Sequence, residues 1–393
     1  MKAGRREPPR EEFLRRALEL AWRGLEAVSP NPMVGAVIVR DGRIVAEGCH
    51  RRYGGPHAEV DALRRAGDAR GAELYVTLEP CGHRGKTPPC AEAIAAAGVR
   101  RVVYGASDPN PATSGRGPRF LRERGIDVMG GFLEAECRSL NAAYFHWRET
   151  GFPWVILKWA MTLDGKTATE RGESRWITGE AARARAQGLR RRADAVLAGT
   201  ETVILDDPLL LPRPARGRRP LRVILDRRAR IPLARRLLGP PERAGAGPRL
   251  YVTGPSAPEA RLRTLERRGL EILVLAPRVW GIRRLLRELG RRGISQLLVE
   301  GGAALAGSFL AAGAAEEVAA FVAPRLLGGR GARGAVGGPG LRALARTPWL
   351  EEPAVERLGR DWLVQGRLRW PEAGPGGGRP RGRTGGGGAA ARS

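Results

Sequence analysis

Four residues in the first quarter of the chain have the types and spacing of a catalytic zinc site: His57, Glu59, Cys81 and Cys90. One imidazole and two thiolates are good ligands for Zn²⁺, and three protein ligands leave the fourth tetrahedral position for water. Zinc lowers the pKa of such a water toward about 7. Glu59, at the start of a predicted helix, could take a proton from that water and return it to a leaving amine. The sequence therefore predicts a hydrolytic metal site with Glu59 as its catalytic residue.

Two other interpretations of these residues stay open. In the first, zinc only stabilises a binding protein and Glu59 has no role. In the second, His83 is a fourth ligand that closes the metal site, although we expect a substrate-facing or structural role for it. The remaining cysteines, Cys49 and Cys137, lie outside the motif and are predicted to be core residues, because buried cysteines are usually inert and apolar.

Zinc nucleobase deaminases carry the pattern H-x-E…P-C-x-x-C, whereas eight residues separate Cys81 from Cys90 here. Residues 77–90, together with 30–35, His50 and 108–111, resemble the deaminase domain of the bifunctional deaminase/reductase of riboflavin biosynthesis. The resemblance spans nearly all of residues 10–148 and implies a cytidine-deaminase-like α/β/α fold. It also implies removal of a pyrimidine amine and a substrate contact for Asn31, whose amide could read a pyrimidine edge. A turn-forming role for Asn31 remains the alternative.

A second set of motifs occupies residues 158–166, 172–178, 199–210 and 299–305. In this order they resemble the reductase domain of the same family, which implies a dihydrofolate-reductase-like α/β fold over residues 151–368 and NADPH as cofactor. The cofactor contacts that the resemblance implies are Ala160, Trp176, Thr202, Asp206, Gly302, Ala303, Ala304, Leu305, Ala306, Gly307 and Ser308. The substrate contacts that it implies are Ser174, Arg190, Leu210, Arg213 and Glu300.

Charged residues of these motifs suit phosphorylated ligands. Arg190 and Arg213 could bind a ribose 5-phosphate, because a guanidinium pairs with phosphate as a bidentate fork. Lys158 and Lys166 are two of only four lysines in the chain, so we expect an ammonium to bind phosphate or organise the site there, and Lys158 is counted with the substrate contacts. The motifs contain no obvious acid for the reduction, and that role stays unassigned.

The elements that position these motifs follow from the apolar pattern. We expect a helix over residues 10–27 and a hairpin of strands 33–40 and 43–48 joined by Asp41 and Gly42, since Asp-Gly favours a tight turn. Helices are predicted over 57–66 and 90–97, and a second α/β set follows residue 150. The predicted divisions are a zinc-dependent deaminase domain at 1–149, an NADPH-dependent reductase domain at 150–370, and a disordered Gly/Arg-rich tail at 371–393.

The chain has 393 residues, 68 Lys and Arg against 41 Asp and Glu, and a net charge of +27, most of it beyond residue 150. Such a charge allows a polyanionic partner, so an RNA-editing zinc deaminase with a basic RNA-binding C-terminal half is the alternative function. An aromatic and basic RNA-binding motif is not evident there. We therefore expect small phosphorylated ligands and no nucleic acid.

Localisation and assembly complete the expectations. The sequence has no apolar run of about 18 residues, which predicts no membrane contact. Four cysteines do not suggest a disulfide framework, so a cytoplasmic enzyme is predicted. The resemblance implies a homo-oligomer, either dimer or tetramer. It also implies two consecutive reactions: deamination of 2,5-diamino-6-(5-phosphoribosylamino)pyrimidin-4(3H)-one, then NADPH-dependent reduction of the ribosyl group of 5-amino-6-(5-phosphoribosylamino)uracil to ribityl.

Overall fold

The computed structural model describes residues 8–84, 88–111, 113–214, 218–276, 281–341 and 343–371. The predicted tail from residue 372 onward lies outside the described residues. The described helices are α1 (Glu11–Ala21), α2 (Ala58–Ala66), α3 (Cys90–Ala96), α4 (Arg116–Arg122), α5 (Glu134–Leu140), α6 (Ala142–Thr150), α7 (Glu180–Arg192), α8 (Thr200–Asp206), α9 (Pro241–Ala244), α10 (Glu259–Arg267), α11 (Ile282–Arg291) and α12 (Ala303–Ala311).

The described strands are β1 (Gly35–Arg40), β2 (Arg43–Cys49), β3 (Glu73–Leu78), β4 (Arg101–Ala106), β5 (Asp127–Met129), β6 (Trp154–Thr162), β7 (Lys166–Ala168), β8 (Ala195–Gly199), β9 (Leu221–Leu225), β10 (Arg249–Thr253), β11 (Glu271–Val274), β12 (Gln296–Val299), β13 (Glu317–Ala323), β14 (Arg333–Gly334), β15 (Trp349–Leu358) and β16 (Asp361–Arg369). Among the described residues, no helix is long and apolar enough to cross a membrane.

The chain forms two compact units. The larger unit holds the described residues up to Trp154 together with Arg185–Leu197 and Asp207–Leu298, and the smaller unit holds Val155–Ala184, Ala198–Asp206 and the described residues from Val299 onward. These units do not follow the predicted division at residue 150, because two later segments belong to the larger unit. The division into a deaminase domain and a reductase domain therefore stays a prediction.

A five-stranded sheet with the order β2-β1-β3-β4-β5 lies in the larger unit. Strand β1 pairs antiparallel with β2 and β3, and β3, β4 and β5 are parallel. Asp41 and Gly42 connect β1 to β2 with φ angles of 50° and 71°, which are the left-handed conformations that a tight hairpin turn requires. The predicted hairpin is confirmed.

Helices cover both faces of this sheet. A Cβ on Gly35 of β1 would lie 2.0 Å from the Ala17 carbonyl oxygen of α1, and a Cβ on Gly48 of β2 would lie 2.3 Å from the Ala58 oxygen of α2. Gly48 is the partner of Ala36 in the strand pairing, so Gly35 and Gly48 point to opposite faces, because neighbouring residues of a strand alternate. The result is the α/β/α layering that the sequence predicts.

The remaining strands form parallel and antiparallel pairs. In the larger unit, β9, β10 and β11 are parallel neighbours. In the smaller unit, β6 and β13 are parallel, while β16 pairs antiparallel with β13 and with β15. This mixture of pairings makes the second part of the chain an α/β structure, as predicted.

Some predicted elements differ in extent. The helix expected over residues 10–27 ends at Ala21 and continues as a 3₁₀ turn over Trp22–Gly24. Gly24 closely approaches the backbone there, since a Cβ on it would lie 2.5 Å from the His50 carbonyl oxygen. The β15 and β16 hairpin has no counterpart among the predicted strands.

Candidate active sites

The three predicted metal ligands converge from separate elements of the larger unit. His57 is the residue before α2, Cys81 follows β3, and Cys90 is the first residue of α3. His57 Nδ1 lies 3.0 Å from Cys90 Sγ and 3.6 Å from Cys81 Sγ. The three ligand atoms all lie within 4.8 Å of one another.

This arrangement fits a zinc ion. A tetrahedral Zn²⁺ with nitrogen and sulfur ligands at about 2.0–2.3 Å keeps those ligands roughly 3.3–3.8 Å apart. The Cys90 N–H donates to Cys81 Sγ over 3.3 Å. Hydrogen bonds from Cys90 and His57 hold the pKa of the Cys81 thiol well below its usual value. A thiolate is the form that a metal binds, so Cys81 is already biased toward coordination. The hydrogen bond to Cys81 and burial raise the pKa of the Cys90 thiol, which therefore loses its proton when a metal binds.

Glu59 lies in the first turn of α2 and lines a cavity of about 300 Å³ beside His57 and Cys81. Its side chain is buried, with the residue 4% exposed. Burial raises the pKa of the Glu59 carboxyl, and the nearby His57 opposes that rise. Glu59 therefore lies on the cavity wall next to the predicted metal ligands, and its role in proton transfer remains a prediction.

The same cavity brings together residues that are far apart in the chain. Its described lining is Pro30, Asn31, Pro32, Val34, His50, Tyr53, Gly54, Gly55, His57, Glu59, Leu78, Glu79, Cys81, His83, Asp108, Asn110, Thr113, Tyr144, Trp147 and Arg148. Polar side chains and aromatic rings share this wall, which suits a small polar heterocycle.

Asn31 and His50 form a pair in this cavity. His50 Nδ1 lies 2.8 Å from the Pro56 carbonyl oxygen, and His50 Nε2 lies 3.2 Å from Asn31 Nδ2. A carbonyl only accepts hydrogen bonds, so Nδ1 carries the proton. Burial lowers the pKa of His50, which favours the neutral ring. Nε2 then accepts from the Asn31 amide and fixes its orientation.

Sequence reasoning assigned no role to a second polar group, Glu79, Asp108 and Tyr144. Glu79 accepts from the Asp108 N–H over 3.2 Å and from the Gly115 N–H over 2.5 Å. Asp108 in turn accepts from the Tyr144 hydroxyl over 2.9 Å. Burial raises the pKa of both carboxyls. The signal available in the sequence was Glu79 itself, a charged residue directly after a buried strand and two positions before a predicted metal ligand.

Three other residues considered in the sequence analysis, His83, Cys49 and Cys137, lie outside the metal cluster. His83 Nδ1 lies 3.1 Å from Thr113 Oγ1, and His83 lines the cavity. Among the described residues the metal-ligand cluster comprises only the three predicted ligands. A substrate-facing or structural role for His83 stays the prediction. Cys49 and Cys137 are buried in the core of the larger unit, as expected.

The smaller unit has a cavity of its own, of about 210 Å³. Its described lining is Lys158, Trp159, Ala160, Thr167, Ala168, Gly172, Ser174, Glu201, Thr202, Leu205, Asp206, Glu300, Gly301, Gly302, Ala303, Arg333 and Ala335. Eight predicted contacts meet here: Lys158, Ala160, Ser174, Thr202, Asp206, Glu300, Gly302 and Ala303. Lys166 is absent from this lining.

Two polar pairs organise this cavity. Lys158 Nζ lies 3.7 Å from Glu300 Oε2. Ser174 Oγ donates to Asp206 Oδ1 over 3.3 Å. Lys158 comes from β6, whereas Glu300 follows β12 directly. The first pair therefore places a cation and a carboxylate at one wall, and the second adds a hydroxyl and another carboxylate.

The start of α12 suits a phosphate group of a dinucleotide. Gly302 is the residue before this nine-residue helix, with extended φ and ψ of −69° and 171°. The first N–H groups of a helix have no partner within it and attract anions. These N–H groups are donors suited to a phosphate of a phosphorylated nicotinamide cofactor.

Several predicted cofactor contacts lie outside the described cavity lining. Trp176 is 57% exposed, and the Arg183 guanidinium carbon lies 4.6 Å from its ring centroid. The α12 residues beyond Ala303 lie along the helix: Ala304 is exposed, Leu305, Ala306 and Gly307 are buried, and Ser308 is exposed and donates to the Ala304 oxygen. Their predicted contacts with NADPH remain predictions.

Three of the substrate contacts predicted for the reductase belong to the larger unit. Arg190 Nη1 donates to the Leu211 carbonyl oxygen over 3.2 Å. Leu210 is buried with a φ of 55°. Arg213 is exposed, and its N–H donates to Gln187 Oε1 over 2.9 Å. Their substrate roles also remain predictions.

Family profiles match both parts of the chain. Residues 8–106 match the cytidine and deoxycytidylate deaminase zinc-binding region, which includes every predicted zinc ligand. Residues 153–364 match the RibD C-terminal domain. The second match relates the basic half of the chain to a reductase domain, so the RNA-editing alternative is not favoured.

Relatives match almost end to end. The riboflavin biosynthesis protein RibD of Escherichia coli (strain K12) is 42% identical over 369 residues, covering 89% of this chain and 97% of the relative. That of Actinobacillus pleuropneumoniae is 40% identical, covering 90% and 94%.

Solved structures agree with these relatives. Acinetobacter baumannii RibD has a TM-score of 0.82 at 40% identity, covering 91% of this chain and 98% of that one. The Thermotoga maritima diaminohydroxyphosphoribosylaminopyrimidine deaminase/5-amino-6-(5-phosphoribosylamino)uracil reductase has a TM-score of 0.79 at 37% identity with the same coverage. With both family profiles and near-complete relatives in agreement, the chain belongs to the RibD family of bifunctional riboflavin biosynthesis enzymes.

Proposed function

We propose that this enzyme catalyses two consecutive steps of riboflavin biosynthesis at its two cavities. The first is hydrolytic deamination of 2,5-diamino-6-(5-phosphoribosylamino)pyrimidin-4(3H)-one. The second is reduction of the ribosyl group of 5-amino-6-(5-phosphoribosylamino)uracil to ribityl with NADPH. The observation that carries the first step is the convergence of His57, Cys81 and Cys90 beside the buried Glu59 in one cavity.

In the deaminase cavity, His57, Cys81 and Cys90 would hold Zn²⁺. The metal supplies Lewis acidity, which makes a water nucleophilic near neutral pH. Glu59 takes the proton that the attacking water loses and delivers it to the departing amine, so that ammonia leaves. Because Glu59 is buried on the cavity wall, its carboxyl group is largely shielded from bulk solvent.

The pyrimidine lies against the polar wall of the same cavity. Asn31 holds one edge of the ring through its amide, and the hydrogen bond to His50 keeps that amide in one orientation. A fixed amide can distinguish a ring edge by its donors and acceptors, because a mismatched edge leaves buried polar groups unpaired.

In the reductase cavity, bound NADPH would supply the hydride that reduces C1′ of the ring-opened sugar imine. Ala160, Thr202, Asp206, Gly302 and Ala303 would bind the cofactor, since they line that cavity together. Lys158, Ser174 and Glu300 would hold the substrate. The protein contributes binding and orientation, and proximity of this kind accounts for a large share of the rate in hydride transfer.

The proposal includes the wider organisation of the enzyme. Its deaminase domain comprises residues 1–149 and its reductase domain residues 150–370, which is compatible with the family matches over 8–106 and 153–364. It acts in the cytoplasm as a homo-oligomer, dimer or tetramer, with phosphorylated pyrimidines and NADPH as ligands and without nucleic acid. Light scattering of the purified enzyme tests the assembly.

The decisive experiment replaces Glu59 by Gln and measures three quantities. We expect ammonia release to fall by about 100-fold or more, because an amide cannot carry the proton. Zinc content and NADPH oxidation with the aminouracil substrate remain at the wild-type level. Glu123→Gln, at an exposed position after α4, is the matched control. Ammonia release at the wild-type rate in Glu59→Gln would overturn the proposed role.

A further inference from the structure

Asp194 is a buried carboxylate in the part of the chain that matches the reductase profile. It immediately precedes β8, and its side chain has no solvent exposure. Its Oδ2 accepts from the Ser295 N–H over 2.7 Å, from the Ser295 hydroxyl over 2.6 Å and from the Gln296 N–H over 3.0 Å. Arg218 pairs with its Oδ1. These bonds fix the carboxylate against the start of β12.

The same carboxylate accepts a hydrogen bond from the residue that precedes three lining residues of the deaminase cavity. Ser29 Oγ donates to Asp194 Oδ1 over 2.6 Å, and Ser29 Oγ also lies 3.4 Å from Ser295 Oγ. The three residues after Ser29 all line the deaminase cavity, and Asn31 is one of them. A single hydrogen bond therefore joins the fixed Asp194 carboxylate to the loop that carries Asn31, the proposed pyrimidine contact.

Other contacts between these segments lie nearby in the larger unit. Arg191 Nε donates to Glu26 Oε1 over 2.9 Å, at the beginning of the same loop. Trp147, which also lines the deaminase cavity, donates from Nε1 to the Gly290 oxygen over 2.9 Å. Segment 185–197 thus contacts the loop that carries Asn31, and segment 207–298 contacts Trp147 of the cavity wall.

The Ser29 contact adds to other anchors of this loop: the Asn31 N–H donates to the Val28 oxygen over 3.0 Å, and the Asn141 side chain bonds the Met33 N–H and oxygen over 2.8 Å each. Residues 25–34 connect the 3₁₀ turn at Trp22–Gly24 to β1 through turns and bends, without a strand or helix of their own. The orientation of the Asn31 amide therefore depends on how firmly the backbone of this loop is held. A hydrogen bond to an ionised carboxylate is stronger than one between neutral groups, so the Ser29 contact to Asp194 is the strong link at this point of the loop.

We propose that Asp194 is a positioning residue for the deamination: through Ser29 it holds the loop that presents Asn31 to the pyrimidine. The deaminase site is then completed by residues from the sequence region of the reductase. This inference rests on the proposed deaminase function of the cavity. It adds a residue that touches neither substrate nor metal.

Ser29→Ala in the full-length enzyme tests the proposal. The substitution removes one hydroxyl and leaves the bonds from Asp194 to Ser295, Gln296 and Arg218 in place. We expect the KM of the diaminopyrimidine to rise about tenfold, since a charge-assisted hydrogen bond is lost, while the deaminase kcat changes less than about twofold. Zinc content and both reductase parameters should match the wild type.

Three further variants separate positioning from general destabilisation. Ser29→Thr keeps the hydroxyl and should restore the KM. Ser139→Ala, at an exposed position on α5, is the matched serine control. Asp194→Asn also weakens the bonds to Ser295, Gln296 and Arg218, but Ser29→Ala should raise the KM by a smaller factor in the Asp194→Asn background than in the wild type, because the contact that both changes share is already weakened.

The outcomes are distinguishable. An inactive wild-type deaminase would refute the proposed function itself. An active wild type with an unchanged KM in Ser29→Ala would overturn only the positioning role. A loss shared equally by deaminase and reductase, without rescue by Ser29→Thr, would also overturn it, because that pattern indicates a general loss of folded enzyme.

Discussion

His50 Nε2 lies 3.2 Å from Asn31 Nδ2, and the β1 and β2 hairpin is the reason that these two residues meet. Gly35 pairs with Cys49, and the His50 N–H donates to the Val34 oxygen over 2.9 Å. Residues shortly before β1 therefore lie beside the residue directly after β2. The hairpin turn at one end of the strands thus determines a side-chain pair at the other end, in the deaminase cavity.

Asn31→Ala and His50→Phe should affect deamination to different degrees. We expect Asn31→Ala to lower the deaminase kcat/KM about 100-fold, because the amide proposed to contact the pyrimidine is lost. His50→Phe keeps a ring but removes the acceptor, so it should lower kcat/KM about tenfold, mainly through KM. Steady-state ammonia release measures both, and NADPH oxidation serves as the internal control. A larger effect of His50→Phe, accompanied by loss of zinc, would contradict this order and point to a metal role for His50.

Removal of the metal should separate the two activities. The three ligands belong to the starts of α2 and α3 and the end of β3, so a bound ion connects three elements. After dialysis against a chelator, we expect ammonia release to disappear and the unfolding temperature to fall by about 5 °C or more. NADPH oxidation should persist, because the cavity of the smaller unit contains none of these ligands.

Readdition of Zn²⁺ provides the control for this treatment. Ammonia release should return in proportion to the zinc bound, and a sample dialysed without chelator should keep both activities. Deaminase turnover by enzyme with less than about 0.1 zinc per chain would refute a catalytic metal at this site.

The metal site could be predicted because its signal is local. His57 and Glu59 are two residues apart, and Cys81 and Cys90 follow a strand and begin a helix, so side-chain type and element boundaries place them. The partner of Asp194 could not be predicted in this way. Ser29 lies 165 positions away, and no local pattern links a serine in a turn with an aspartate before a strand.

The β15 and β16 hairpin illustrates a different limit. Strand β15 has no fully buried residue, and its sequence Trp-Leu-Glu-Glu-Pro-Ala-Val-Glu-Arg-Leu lacks the apolar and polar alternation of a half-buried strand. The register of its pairing with β16 shifts between Glu351 and Ala354, around Pro353. Proline in a strand is typical of edges and bulges. The local sequence therefore did not predict a strand here, and the strand forms through its pairing with β16.

Gly307 should be intolerant of any side chain. A Cβ on Gly307 would lie 1.9 Å from the Gly337 carbonyl oxygen, which is backbone that cannot rotate away. Gly307→Ala should therefore lower the free energy of unfolding by about 1–3 kcal/mol and disturb α12. Denaturant titration measures the first effect, and the KM for NADPH measures the second.

Gly188→Ala is the matched control for this substitution. Gly188 lies inside α7, and an added Cβ would meet only Arg191 Nη2, at an ordinary 3.5 Å. Alanine is the better helix former, so this variant should be stabilised by about 0.5–1 kcal/mol. Equal stability of the Gly307→Ala and Gly188→Ala variants would contradict the close approach at α12.

Lys158→Arg should impair the reduction although it keeps the positive charge. The ammonium lies 3.7 Å from Glu300 Oε2 on the cavity wall, and its side chain is only 17% exposed. A guanidinium is planar and larger, and its donors form a fixed fork rather than a compact point charge. We expect kcat/KM for NADPH-dependent reduction to fall about tenfold or more, with ammonia release unchanged.

Lys166→Arg is the matched comparison, because Lys166 is absent from the described lining of that cavity, and it should change kcat/KM less than about twofold. Full reductase activity in Lys158→Arg would show that the site needs a cation there and not an ammonium.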